Sequence, residues 1–74
     1  MTIQENGLAV AKLISILDTP LIASGVRVAA VQGLGRAGGP VALAKLINLF
    51  DTPLLAAEVR EACARAIGEA GRLE

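Results

Sequence analysis

The sequence predicts an all-α fold: four antiparallel helices forming two stacked hairpins, a short stretch of α-α superhelix. Three observations predict it. First, the chain repeats itself at a period of 33: segment 8–40 falls on 41–73 with 16 of 33 positions identical. A fixed period of this size marks a stacked solenoid. Second, apolar residues recur at helical spacing in both copies. Third, the same punctuation, Asp-Thr-Pro-Leu, interrupts both copies at Asp18–Leu21 and Asp51–Leu54.

The first helix of copy one carries Val10, Leu13, Ile14 and Leu17 on one stripe, and copy two repeats it with Leu43, Leu46, Ile47 and Phe50. That spacing fits 3.6 residues per turn. Pro40 suits the first turn of the copy-two helix, where its missing N–H costs nothing. Asn6-Gly7 holds the matching place in copy one. Thr2 and Glu5 also form a capping-box pair, which would start that helix a turn earlier. Both helices end at Asp-Thr-Pro, because the residue before a proline avoids helical angles. A short apolar link should follow, leading to second helices from about residues 24 and 56.

The second helix of copy two places Val59, Ala62, Cys63, Ala66, Ile67 and Ala70 on one face. Glu61, Arg65 and Glu69 sit four apart on the other, where each pair adds about 0.2–0.5 kcal/mol. Copy one offers Val26, Ala29, Ala30, Gly33, Leu34 and Ala37 on the matching face. Gly38 and Gly71 should then stop these helices. Strict alternation never runs long enough for strands, and Ala and Gly form them poorly. Second helix is expected to stack on second helix, and first on first. Small residues at Ala29, Ala30, Gly33 and Ala62 should let backbones approach. Leu13, Leu17, Leu34, Leu46, Phe50 and Ile67 are the expected large core residues.

The unit Val26-Arg27-x-Ala29-Ala30-x-x-Gly33-Leu34-Gly35-x-x-Gly38 recurs as Val59-Arg60-x-Ala62-Cys63-x-x-Ala66-Ile67-Gly68-x-x-Gly71. With Val41–Leu46 and Leu49-Phe50-Asp51, it resembles the HEAT-like repeats of the short type found in phycobilin lyase subunits. The resemblance covers about residues 7–72, although the link between the two helices is longer here than is usual in that family. It implies one domain, 1–74, with repeat one at about 7–39 and repeat two at about 40–72. It also implies that Asp18 and Asp51, with Arg27 and Arg60, form a structural polar ladder between neighbouring units. Family members serve as lyase subunits, scaffolds and adaptors.

Composition narrows the function. Seventy-four residues allow one small domain, 54% of them apolar, with Phe50 the sole aromatic. Seven basic and seven acidic side chains cancel, and no basic stripe or stacking platform for nucleic acid is visible. No uncharged run after the first turn exceeds eight residues, against roughly 20 for a membrane span. No signal-peptide pattern opens the sequence. Cys63 is the single cysteine, so the expectation is a cytoplasmic protein from a reducing compartment. Arrays of this kind usually need about three repeats or more for stability, so a longer array, or stacking on a second copy, is expected.

Chemistry finds little support. Gly33-Leu34-Gly35-Arg36-Ala37-Gly38 fits G-x-G-x-x-G, but a dinucleotide site needs a strand before the glycines and a helix after them. The spacing here is helical, and copy two has Ala66 in place of Gly33. There is no histidine to act as base or metal ligand. Cys63 lies on the buried stripe, where a thiol behaves as a small apolar group. No catalytic residue, cofactor or metal site is therefore assigned. Opposite the buried stripe lie Val28, Val31 and Gln32 with Gly35 in copy one, and Glu61, Ala64 and Arg65 in copy two. Concave faces of solenoids bind partners. Val28, Gln32, Glu61 and Arg65 are the candidate contact residues for a protein partner, neighbouring repeats, or a second copy through exposed repeat ends; the competing reading is that Val28 and Val31 pack on a neighbouring repeat or lie singly exposed, which is ordinary. The expected function is a non-catalytic interaction or scaffold module, with a fragment of a phycobilin lyase-like subunit or chaperone as the alternative.

Overall fold

A computed structural model describes the backbone of residues 2–72 and the side chains of residues 6–72. Four helices follow one another: α1 (Thr2–Leu17), α2 (Ser24–Ala37), α3 (Gly39–Phe50) and α4 (Ala57–Arg72). No strand occurs among the described residues. Helix α1 does begin a turn before Asn6; the side chains of Thr2 and Glu5, and with them the capping box, lie outside the described residues.

The two links between the first (A) and second (B) helix of each hairpin, residues 18–23 and 51–56, are built alike. Asp18 and Thr19 close α1 with backbone bonds to Ile14 and Ile16, and Asp51 and Thr52 close α3 on Ile47 and Leu49. The threonine hydroxyls donate one turn back, Thr19 to Ser15 O at 2.9 Å and Thr52 to Asn48 O at 3.2 Å. Between α2 and α3 the link is Gly38 alone, at φ 68°, whose N–H caps Leu34 O at 3.0 Å. Gly39 follows at φ 87° and Pro40 sits in the first turn of α3. Two consecutive positive φ values reverse the chain here, and only glycine takes them without strain. Gly71 behaves differently from Gly38: α4 runs through it to Arg72.

Helix α2 is central. It packs against α1, α3 and, most extensively, α4, whereas α1 and α3 scarcely meet. The second helices therefore stack as expected, and the first helices do not. Leu17, Leu34 and Leu46 are core residues; Leu13, Phe50 and Ile67 are only partly buried around them. The faces of α2 also differ from the helical-wheel assignment. Val31 is fully buried and Gly35 is buried, while Ala29 and Val26 are exposed. The reason is that α2 is covered on two sides, by its own hairpin and by α4. The closest backbone approach is at Gly35 rather than Gly33. A Cβ on Gly35 would lie 2.9 Å from Ala66 Cβ and 3.0 Å from its Cα, whereas Gly33 faces the mobile end of Leu13.

Candidate interaction surface

Each repeat fastens its link with one arginine. Arg27, on the first turn of α2, donates from Nη1 to Leu17 O at 2.9 Å and from Nη2 to Thr19 O at 3.2 Å. Arg60 does the same from α4, to Phe50 O and to Thr52 O at 3.0 Å, and its guanidinium lies 5.3 Å from the Phe50 ring centre. The last carbonyls of a helix have no partner within it and carry partial negative charge, so a cationic fork with several donors suits them. The arginines thus bind carbonyls of their own hairpin. Asp18 bonds instead to Lys45 Nζ of the next repeat at 2.7 Å, and Asp51, its counterpart, is exposed. Among the described residues, the polar side-chain contact that crosses between repeats is this Asp18–Lys45 pair, and no Asp–Arg bond forms there.

What the arginines hold in place is unusual. Leu21 and Leu54 follow the prolines at φ 61° and 62°. Proline followed by a positive-φ residue is the pattern of a type II turn, which ordinarily takes Gly or Asn there. Both leucine side chains are fully solvent-exposed, at 101%. In the sequence these residues read only as part of an apolar link, because nothing in Pro-Leu announces a left-handed residue.

The four candidate contact residues separate. Val28 is half-buried against the hydrophobic core. Gln32 and Arg65 come together, with Arg36 and Glu69, around a cleft of about 200 Å³ over Ala62 and Ala66. Glu61, one turn before Arg65, lines a different groove of about 410 Å³ with Phe50, Leu55, Ala57, Arg60 and Ala64. Its ion pair with Arg65 is loose, at 4.0 Å with both side chains exposed, a class of contact that contributes about 0–1 kcal/mol. A wider and mostly apolar cleft of about 490 Å³ opens where α1 and α3 diverge, over Val10, Ile14, Pro40 and Val41.

Among the described residues no cluster of His, Cys, Asp or Glu could hold a metal, and no charged or polar side chain is buried. Burial raises the Cys63 thiol above the usual thiol range, an effect that the charge of Arg60 partly opposes. No described helix is long and apolar enough to cross a membrane.

Comparison with known families fits this geometry. Residues 26–52 match the family model of the PBS lyase HEAT-like repeat, from the first turn of α2 through α3 to its closing Thr52. That segment is similar to a HEAT-like repeat. The four helices are consistent with two such units, the match spanning the second helix of one hairpin and the first of the next. No curated protein and no solved structure matches the chain at a significant level.

Proposed function

We propose that the chain is a non-catalytic interaction module whose contact edge is the row of A–B links, each HEAT-like repeat presenting one leucine. The supporting observation is the pair Leu21 and Leu54, left-handed and wholly exposed at the same place in both repeats. A left-handed residue other than glycine costs roughly 1–2 kcal/mol. Two of them cost about 2–4 kcal/mol, against a total stability of about 4–11 kcal/mol for a chain of this length. Neither side chain recovers any of this by burial within the chain. Strain that the fold does not use points to a role outside it. The arginine forks support the same reading, since each ties its link to the end of the preceding helix and so holds its leucine in one position. A rigid apolar anchor loses little entropy on binding.

The test is a photo-crosslinking side chain placed at position 21 or 54, with position 58 as an exposed control. The expected result is one protein adduct of the same mass from 21 and 54, weakened when the other leucine is Gly, and absent from 58. Identical adduct patterns at all three positions would refute the reading. The lyase-fragment reading predicts instead an absorbance shift when a bilin is titrated into the chain, and a shift abolished by Leu54→Gly would favour it.

A further inference from the structure

The chain contains one complete joint between repeats, and that joint shows what would cover the faces left open at either end. Burial differences between equivalent residues identify its two sides. Val59, Ala62 and Ala66 are buried, but their counterparts Val26, Ala29 and Gly33 are not. These face backward, toward a preceding unit. Val31, Gly35 and Leu17 are buried, whereas Ala64 and Gly68 are exposed and Phe50 only partly covered. These face forward, toward a following one. Apart from Phe50 and Glu61 on the forward side, both faces are small, apolar side chains, and they are the two halves of one interface displaced by 33 residues.

We infer that a second copy of this chain docks head to tail, its α2 face on the α4 face of the first, repeating the internal joint. Three internal contacts transpose directly. Gly35 meets Ala66, so Gly68 meets the second copy's Gly33; a Cβ on Gly68 would meet nothing within 4 Å in the single chain, so the space is open. Val59, fully buried at the joint, is replaced by Val26, which is 43% exposed in the single chain and has the groove over Phe50, Leu55 and Ala57 to enter. The Asp18–Lys45 ion pair is replaced by Asp51 with Lys12, both exposed and neither holding an ion-pair partner among the described residues. An exposed pair adds little affinity, but it selects this register over others. Glu61 stands where Val28 does, so the joint between copies is weaker than the internal one and assembly depends on concentration. The contact joins unlike faces, so it extends into open chains of copies and does not stop at two. This surface adjoins the leucine edge, since Leu54 lines a cleft at the internal joint with Leu17, Asp18 and Arg27, but the leucine side chains themselves stay fully exposed, and the two readings are tested by different variants and different measurements.

The test uses the full 74-residue chain in sedimentation equilibrium from about 10 µM to about 1 mM, the range in which weak joints populate. The average mass should climb through and beyond that of a dimer. Ala64→Glu blocks the forward face and Ala29→Glu the backward face; both sites are exposed, and unchanged helicity by circular dichroism confirms the fold. A carboxylate forced into the joint should weaken association by about a hundredfold or more. Each variant alone should be monomeric, and an equal mixture should give a 1:1 heterodimer and nothing larger. A carbodiimide should also join Lys12 to Asp51 between isotopically light and heavy wild-type chains. Wild type that stays monomeric throughout, or stops at a dimer, overturns the inference. So does a variant that self-associates as well as wild type, a mixture that does not pair, or a Lys12–Asp51 link found only within chains.

Discussion

Gly35 and Gly68 occupy the same repeat position, yet alanine at the two should change stability in opposite directions. In a helix interior, Gly is about 0.8–1.0 kcal/mol less favourable than Ala. At Gly68 nothing lies within 4 Å of the new methyl, so Gly68→Ala should gain nearly the whole of that amount. At Gly35 the methyl would lie 2.9 Å from Ala66 Cβ, 3.0 Å from its Cα and 3.2 Å from its carbonyl oxygen. Two of those three atoms are backbone, which cannot rotate away, so α2 and α4 must separate along the most extensive helix contact in the chain. Overpacking of a tight core costs about 1–3 kcal/mol. With backbone as the obstacle the upper part of that range applies, leaving Gly35→Ala about 1–2 kcal/mol less stable than wild type after the propensity gain. The measurement is urea unfolding followed by far-ultraviolet circular dichroism, at low micromolar concentration to keep copies apart. With a slope near 1 kcal/mol/M for so small a domain, the midpoints should lie about 1 M above and about 1–2 M below wild type. If both substitutions raise the midpoint equally, the close approach at Gly35 does not exist and the packing of α2 on α4 described above is wrong.

Leu21→Gly and Leu54→Gly should each stabilise the chain by about 0.5–1 kcal/mol, since glycine relieves the left-handed strain and loses only its own chain entropy; destabilisation in the same unfolding assay would show that these side chains are packed. Arg27→Met keeps the stem and removes both carbonyl bonds, and should cost about 1–2 kcal/mol, with Arg27→Lys recovering part; no change would mean that water replaces the fork without penalty. Cys63 gives a pH dependence. Burial raises its folded thiol above the unfolded value, so the unfolded chain ionises first on going alkaline. The contribution is whole below about pH 8.5 and is lost as pH rises from there through the folded pKa. Cys63→Ala should flatten that part of the stability profile, and a profile unaltered by the substitution would refute the assignment.

Much of the fold was legible because each repeat states its boundaries twice. Asp-Thr-Pro ends both first helices, and the second helices begin within a residue of the expected positions. The faces of α2 were not legible, for a physical reason. Charged residues mark the outer side of α4, so its buried stripe is plain. Helix α2 carries Val28, Ala29, Ala30 and Val31 consecutively, and a run without polar contrast does not say which side meets which neighbour. Gly33 and Gly35 both offer a small residue on α2, and it is the approach of Ala66 that singles out Gly35 as the close contact. The exposed leucines were missed because a positive φ is ordinarily read from Gly or Asn, and here neither is present.

Repetition in sequence and repetition in environment are different things, and the difference carries the functional reading. Where equivalent residues share an environment, as Arg27 and Arg60 do, or Leu21 and Leu54, the cause lies inside the hairpin, and the feature would recur in every added unit. Where they differ, as Val26 and Val59 do, or Gly35 and Gly68, the cause is a neighbour that one repeat has and the other lacks. The first class defines what each unit presents at its edge. The second class defines what joins units, and its uncovered members are small and mostly apolar. An array built on these rules lengthens its row of exposed leucines by one with every unit joined. Its affinity for a multivalent partner would then rise with assembly, without any new contact within a unit.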